Sequence, residues 1–337
     1  MEIQENISLK PYHTFGLDVA ARYLCTCSDA GAIAGIFDFG WKNQLPHLIL
    51  GGGSNILFTK NFDGLVIRNM IKGKEIVRET DDHVWLKAGA GENWHQLVLY
   101  CVQKGWGGIE NLALIPGCVG ASPIQNIGAY GVELKDVFFE LEAWHLYDEC
   151  TLVFDNRGCN FGYRDSIFKN EFKGSLFITS VTLQLQKKPV INTSYAALQQ
   201  ELEKAGVVNP SVEDICHAVI RVRSSKLPDP AVIGNAGSFF KNPVVSEAQY
   251  HDLKTHFPNI AAFPSNNSYK LAAGWLIEQC GWKGFRRGDA GCHEKQALVL
   301  VNHGHATGRE IWQLSEDILN SVKDKFGVEL EREVNII

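Results

Sequence analysis

Apolar residues recur along this chain at two spacings, which divide it into strands and helices. HLILGGGSNILF at 47–58 reads as a short buried strand, a tight glycine turn and more apolar chain, and strands are expected at 64–68 (GLVIR) and 84–90 (VWLKAGA). Trp94, Leu97, Val98 and Cys101 share one face at helical spacing and predict a helix near 93–103. Further strands are expected at 137–147, 151–154 and 176–186, the last alternating as ITSVTLQLQ. Strands dominate this half, and its class is α+β.

At 187–215 the composition shifts to KKPVINTSY, a charged helical stretch and NPSVED, which marks a lobe boundary. Helices near 211–223, 246–256 and 269–280 follow, then a strand at 297–302. The last helix is the best punctuated. Thr307 and Glu310 make a capping box, Ile311, Leu314, Ile318, Leu319, Val322 and Phe326 form the apolar stripe, and Gly327 ends it. VELEREVNII closes the chain as a strand with Glu329, Glu331 and Glu333 on one face; the spacing leaves open which of the three leaves solvent.

One stretch follows neither period. From Gly105 to Gly131 the chain holds seven glycines and a single charged residue, Glu110, although charged residues make up 21% of the whole. Glycine lets backbone turn through positive φ and approach other atoms closely, and Pro116 and Pro123 stiffen the segment. Such a ribbon suits a flat apolar group with a polar rim, such as an isoalloxazine ring, read by backbone groups and by Ser122, Gln125 and Asn126. A tight linker is the competing reading.

Composition narrows the setting. With 337 residues, 45% of them apolar, the chain can build two or three lobes with real cores. A net charge of −6 supplies no global field for nucleic acid, so a phosphate-bearing ligand would depend on local cations. Nine cysteines without a CxxC pair, and a polar N-terminus, argue for free thiols in a reducing cytoplasm. No apolar run reaches the ~18–20 residues of a spanning helix, and a soluble protein is expected.

The candidate chemistry is scattered. Gly51, Gly52, Gly53, Ser54 and Asn55 form a turn whose N–H groups can cup a phosphate, but Ile56 stands where the dinucleotide fingerprint needs its third glycine. GAGENW at 89–94 is a second glycine turn with the same lack. In NFGYRDS, Arg164 is flanked by Tyr163 and Asp165 and can meet an anion or serve as a surface ion-pair partner. Arg221, Arg223 and Lys226 place three cations within six residues, a helix-dipole pattern that can equally receive a pyrophosphate. Ser238 lies in GNAGSFFKNP, which is not a nucleophile elbow because Ala236 and Phe240 replace its glycines; a serine bonded to its own turn is the plain alternative. His303 and His305 lack further metal-ligand spacing, and no metal is expected.

Taken together, GGGSN at 51–55, ENLALIPGCVGASPIQNIGAYGVEL at 110–134, FGYRDSIF at 161–168, KLPDP at 226–230, GNAGSFFKNPVV at 234–245, KLAAGWLIEQCGWKG at 270–284, QALVLVN at 296–302 and EREVNII at the end closely resemble the MurB family, the UDP-N-acetylenolpyruvoylglucosamine reductases of bacterial peptidoglycan precursor synthesis. The resemblance spans essentially the whole length, and the segment around Tyr195 looks like the family's longer subtype with a tyrosine insertion. It implies a PCMH or vanillyl-alcohol-oxidase-type fold: FAD-binding subdomains at 1–70 and 71–210, a substrate-binding lobe at 215–325, and a terminal strand at 326–337 returning to the site.

The same resemblance assigns roles. NADPH would give a hydride to flavin N5 and leave, and UDP-N-acetylglucosamine enolpyruvate would then take that hydride at C3, by ping-pong kinetics. Arg164 would stabilise the enolate, Ser238 would protonate C2, and Glu333 would sit beside the carboxylate with a raised pKa. Cofactor contacts are implied for Gly51, Gly52, Gly53, Ser54, Asn55, Gly117, Gly120, Ala121, Ser122, Gln125, Asn126 and Gly128. Tyr195, Lys226, Asn242 and Gln296 would hold the UDP portion. FAD is expected to be non-covalent, because the GGGSN turn carries no His or Cys. A cytoplasmic monomer that binds neither nucleic acid nor membrane is expected, with Arg286 and Arg287 as solvated surface.

Overall fold

The computed structural model describes residues 2–337 and divides into two compact units. One takes the chain up to Ile7, Ala21–Gly52 and Asp63–Ser225; the other takes Ser8–Ala20, Gly53–Phe62 and Lys226–Ile337.

The first unit is built on two sheets. Its five-stranded antiparallel sheet runs in the order Cys150–Asp155, Phe138–His145, Leu176–Gln186, His83–Gly89 and Lys74–Glu79. The central strand is the one whose sequence alternates. Val181, Leu183 and Leu185 on it are fully buried, as period-2 spacing requires of a core-facing row. A four-stranded sheet orders Ile3–Ser8, Ala20–Cys27, Phe62–Asn69 and His47–Leu50, with the last two parallel. Helix α1 (Ile33–Lys42) buries Ile33, Ile36 and Phe37 in a core shared with Cys25, Cys27, Leu65 and Ile67.

Three more helices cover the larger core of this unit. In α2 (Trp94–Gln103), Trp94, Leu97, Val98 and Cys101 are the buried face expected, and the Asn93 side chain caps the start by accepting from Gln96 N. Leu198 and Leu202 of α3 (Ala196–Lys204) and Ile215, Cys216, Ala218 and Val219 of α4 (Val212–Lys226) pack into the same cluster.

In the second unit an antiparallel sheet orders Gly234–Ser238, Val299–Asn302, Ala290–Cys292 and Arg286–Arg287. A smaller one orders Val244–Ser246, Ser268–Leu271 and Ala262–Ser265, flanked by α5 (Glu247–His256) and α6 (Ala273–Gln279). The helix expected at 269–280 is therefore shorter. Residues 268–271 pair with a strand on each side, and these ladders override the helical spacing. Helix α7 (Gly308–Phe326) has both halves of its capping box and ends on Gly327 at φ 63°.

The closing strand also differs from expectation. Only Asn335–Ile336 forms a ladder, parallel to Ile56–Leu57, with an isolated bridge between Arg332 and Phe240. Alternating polarity makes the segment extended, but a strand also needs a neighbour, and it finds one only at those two places. Among the described residues all nine cysteines are free, and no helix is long and apolar enough to cross a membrane.

Candidate active site

The glycine ribbon of the first unit is held by backbone packing. A Cβ at Gly52 would lie 2.8 Å from Gly117 Cα, and one at Gly120 would lie 2.5 Å from Ala90 Cβ. Trp94 N donates to Gly117 O at 3.0 Å and Gly120 N to Ala90 O at 2.8 Å. The three glycine turns at 51–52, 89–94 and 117–120 thus meet within this unit. Their glycines let the backbones approach one another, which a side chain at Gly52 or Gly120 would prevent. Glu110, the ribbon's one charge, is turned inward with its carboxylate accepting from Gly108 N at 2.6 Å, and burial pushes its pKa up.

Two of the ribbon's polar side chains are consumed internally. Ser122 Oγ donates to Val119 O at 2.6 Å. Asn126, fully buried, donates to Glu133 Oε2 and Gly162 O, both at 3.0 Å, and accepts from Lys135 N at 3.0 Å. Ala121 stays exposed, and Gln125 and Gly128 stay partly so. What the ribbon offers a ligand is therefore chiefly backbone.

At its far end the ribbon meets cations. Arg164 Nη2 donates to Gly128 O at 2.6 Å, and a Cβ at Gly128 would lie 3.0 Å from Arg164 Nη1. Arg164 itself sits at φ 55°, a strained conformation for a side-chain-bearing residue. Arg223 stands nearby, hydrogen-bonded to Tyr130; its Nε is buried without a hydrogen-bond partner. Burial and the like charge of Arg164 pull the Arg223 pKa down, against the pull of Tyr130. Tyr130 is pushed up by burial and by Tyr195, whose ring meets it edge-on at 5.1 Å.

The cationic triplet on α4 separates. Arg221 pairs with Glu201 at 2.7 Å, Arg223 turns inward, and Lys226 is exposed at the helix end. Residues two apart on a helix do not share a face, and that spacing was the available signal. Nothing in the sequence singled out Tyr130 or His95, whose Nδ1 accepts from Leu114 N at 3.0 Å.

In the second unit, Gly53 has φ 61°, and a Cβ there would lie 2.1 Å from Tyr12 O. Asn55 beyond it donates through Nδ2 to Glu333 O at 3.3 Å and accepts from Asn335 N at 3.1 Å. Glu333 N in turn donates to Phe239 O at 2.8 Å, so Glu333 lies beside the strand that ends on Ser238. Gly237 at φ 70° forms the bend before that serine, and Asn235 Oδ1 ties it down by accepting from Gly237 N at 2.9 Å.

Asn242 and Gln296 converge on the start of α6. Asn242 Oδ1 accepts from Ala273 N at 2.9 Å, and a Cβ at Gly274 would lie 3.1 Å from Gln296 Oε1. Of the other acids on the last segment, Glu329 pairs with Lys323 and Glu331 with Lys241. Arg286 and Arg287 form surface ion pairs with Asp289 at 2.8 Å and Asp317 at 2.7 Å. Among the described residues no His, Cys, Asp or Glu cluster could hold a metal.

Residues 21–147 match the profile of an FAD binding domain, and residues 229–337 match that of the UDP-N-acetylenolpyruvoylglucosamine reductase C-terminal domain. The enzyme of that name from Amoebophilus asiaticus is 49% identical over 338 residues, covering 100% of both chains. That of Pseudomonas aeruginosa is 47% identical over 337 residues, covering 100% of this chain and 99% of its own. The crystal structure of the Thermus caldophilus reductase superposes with a TM-score of 0.67 at 25% identity, covering 100% of this chain and 99% of the other. The fold is accordingly an α+β FAD-binding fold joined to the C-terminal domain of the reductases. With full-length identity near one half and the FAD-binding and C-terminal profiles both matched, this chain belongs to the UDP-N-acetylenolpyruvoylglucosamine reductase family of FAD-dependent oxidoreductases.

Proposed function

We propose that this enzyme reduces UDP-N-acetylglucosamine enolpyruvate to UDP-N-acetylmuramate with NADPH, a step of peptidoglycan precursor synthesis. The observation that carries the reading is the Arg164 guanidinium lying on Gly128 O at 2.6 Å, with Arg223 beside it, at the end of a ribbon whose one charged residue, Glu110, is buried, in a chain of net charge −6. Such a focus of positive charge selects an anionic substrate and is aimed where negative charge grows.

The residues present fit FAD: the 51–52 turn offers bare backbone beside the ribbon, and the ribbon itself offers partly exposed Gln125 and Gly128 and no outward-facing carboxylate of its own, since Glu110 is buried. Gly51, Gly52, Gly53, Ser54, Asn55, Gly117, Gly120, Ala121 and the backbone around Ser122, Asn126 and Gly128 would hold it, within subdomains 1–70 and 71–210. When bound, FAD supplies the hydride-accepting and hydride-donating ring. Addition of hydride at C3 of the enolpyruvyl group moves an electron pair toward the carboxylate, where Arg164 stabilises it. Ser238 Oγ gives its proton to C2, and Glu333 lies beside the carboxylate, protonated or hydrogen-bonded so that it does not repel it. Tyr195, Lys226, Asn242 and Gln296 hold the UDP portion; Asn242 and Gln296 meet at α6, which supports a shared role.

An anaerobic titration tests this. NADPH should bleach the flavin absorbance, and the enolpyruvyl sugar should restore it. Oxygen-dependent turnover of an alcohol or lactone without NADPH would point instead to a PCMH-type oxidase, and protein purified without flavin absorbance to a silent nucleotide-sugar binder.

A further inference from the structure

The segment that carries Glu333 is held after that residue by Asn55, Leu57 and Thr59, and before it by the 239–241 segment. Lys241 N donates to Glu331 O and Glu333 N to Phe239 O, both at 2.8 Å, around the Phe240–Arg332 bridge. Neighbouring side chains on extended backbone point to opposite sides, so Arg332 leaves the strand away from Glu333.

Arg332 ends on α7. Its Nε donates to Ser315 Oγ at 2.8 Å, its Nη2 to Glu316 Oε1 at 2.6 Å, and its guanidinium stands 5.9 Å from the Trp312 ring centre. Ser315 is fully buried and its hydroxyl donates to Trp312 O at 2.6 Å, so the acceptor is itself fixed. The Arg332 side chain is 20% exposed; that of Glu331, paired with Lys241, is 71% exposed. A fork held at two acceptors on a helix capped at both ends specifies position, which the single contact of Lys241 with the exposed Glu331 carboxylate does not.

We infer that Arg332 is a positioning residue for Glu333: it pegs the terminal strand to α7 and so fixes which side chain faces the Ser238 strand. A slip of one residue would exchange the two sides, presenting the guanidinium where the carboxylate belongs. The inference rests on the role given to Glu333 under the proposed function. It adds a residue outside the reacting set whose task is register.

The test is stopped-flow kinetics of the two half-reactions in the holoenzyme. Arg332→Ala should slow flavin reoxidation by the enolpyruvyl sugar roughly 10- to 100-fold while leaving NADPH bleaching within about twofold, the size expected when a reacting group is displaced by about 1 Å. Arg332→Lys, with one donor centre in place of a fork, should fall between. Glu316→Gln leaves Arg332 in place and should also slow reoxidation, which keeps the test open if Arg332→Ala does not fold.

Glu333→Gln provides the discriminating background. If Arg332 acts through Glu333, adding Arg332→Ala to Glu333→Gln should slow reoxidation no further, whereas a general loss of structure would slow both backgrounds alike. Wild-type reoxidation in Arg332→Ala or in Glu316→Gln, or additive slowing in the double variant, overturns the peg with the reaction reading intact. Unchanged reoxidation in Glu333→Gln alone overturns the role of Glu333 and the peg together.

Discussion

Arg164 donates through Nη2 to the Gly128 carbonyl at 2.6 Å, which fixes the guanidinium against the end of the glycine ribbon. The bond fixes a planar guanidinium with directed donors, which a lysine ammonium cannot reproduce. Arg164→Lys should therefore keep its charge and its bound FAD yet slow flavin reoxidation by the enolpyruvyl sugar by about 10²–10³-fold. Rapid-mixing absorbance of pre-reduced enzyme measures it, and reoxidation at the wild-type rate would remove Arg164 from the chemistry.

Ser238 closes its strand directly after the bend at Gly237, beside the Glu333 backbone. If its hydroxyl supplies the proton to C2, Ser238→Ala should still allow NADPH to bleach the flavin, while reoxidation slows by about 10²–10⁴-fold, the usual worth of a general acid. Equal losses in the two half-reactions would count against that role.

Much of this was legible in the sequence, and the failures have physical causes. Cap chemistry is local, so α7 could be read from Thr307, Glu310 and Gly327 alone. The terminal strand could not, because the partners of Arg332 and Asn335, at Phe240 and Asn55, lie far off in sequence. The ribbon's glycines were visible, but their first use was not: Gly52 on Gly117 and Gly120 on Ala90 are backbone contacts that only folding brings together. Arg223 was visible as one of three cations, but its inward turn onto Tyr130 was not, since an arginine two residues after a surface arginine gives no sign of which one turns inward.

The turn at Gly53 gives a sharper test of a glycine requirement. With φ at 61° and the Tyr12 carbonyl oxygen 2.1 Å from any Cβ, Gly53→Ala must displace backbone. The variant should unfold at markedly lower temperature or lose FAD on gel filtration. Gly105 is the control: its φ is 72°, but nothing lies within 4 Å. Gly105→Ala should cost only the ~1–2 kcal/mol of a left-handed alanine and keep its flavin.

Non-covalent attachment of FAD follows from the residues available at the 51–55 turn, where neither His nor Cys stands. Cys118 is the thiol packed against Gly51, and burial raises its pKa, which leaves it a poor nucleophile at neutral pH. Acid precipitation should leave the yellow colour in the supernatant; a yellow pellet would mean a covalent bond.

Stability should fall on mild acidification because burial lowers the pKa of four imidazoles, His13, His95, His293 and His303, and so resists their protonation. His13 is buried, with Nε2 3.3 Å from Leu17 O, and burial lowers its pKa from 6.5. His95 accepts from Leu114 N through Nδ1, and burial, helped by Arg223, lowers its pKa from 6.5 as well. For a depressed folded pKa the unfolded chain binds more protons just below 6.5, so stability is fully present above that pH and is lost as pH falls through the folded values. The carboxylates held low, Asp214, Asp289, Glu310, Asp317 and Glu329, start from 3.8 or 4.5 and titrate below this window, while Glu110, pushed up from 4.5 by burial, takes its proton more readily in the folded chain and opposes the trend. The melting temperature should thus drop between about pH 7.5 and about pH 5.5, and His95→Gln, which keeps an acceptor for Leu114 N but cannot charge, should flatten that slope. An equal slope in the variant would assign the acid sensitivity to other groups.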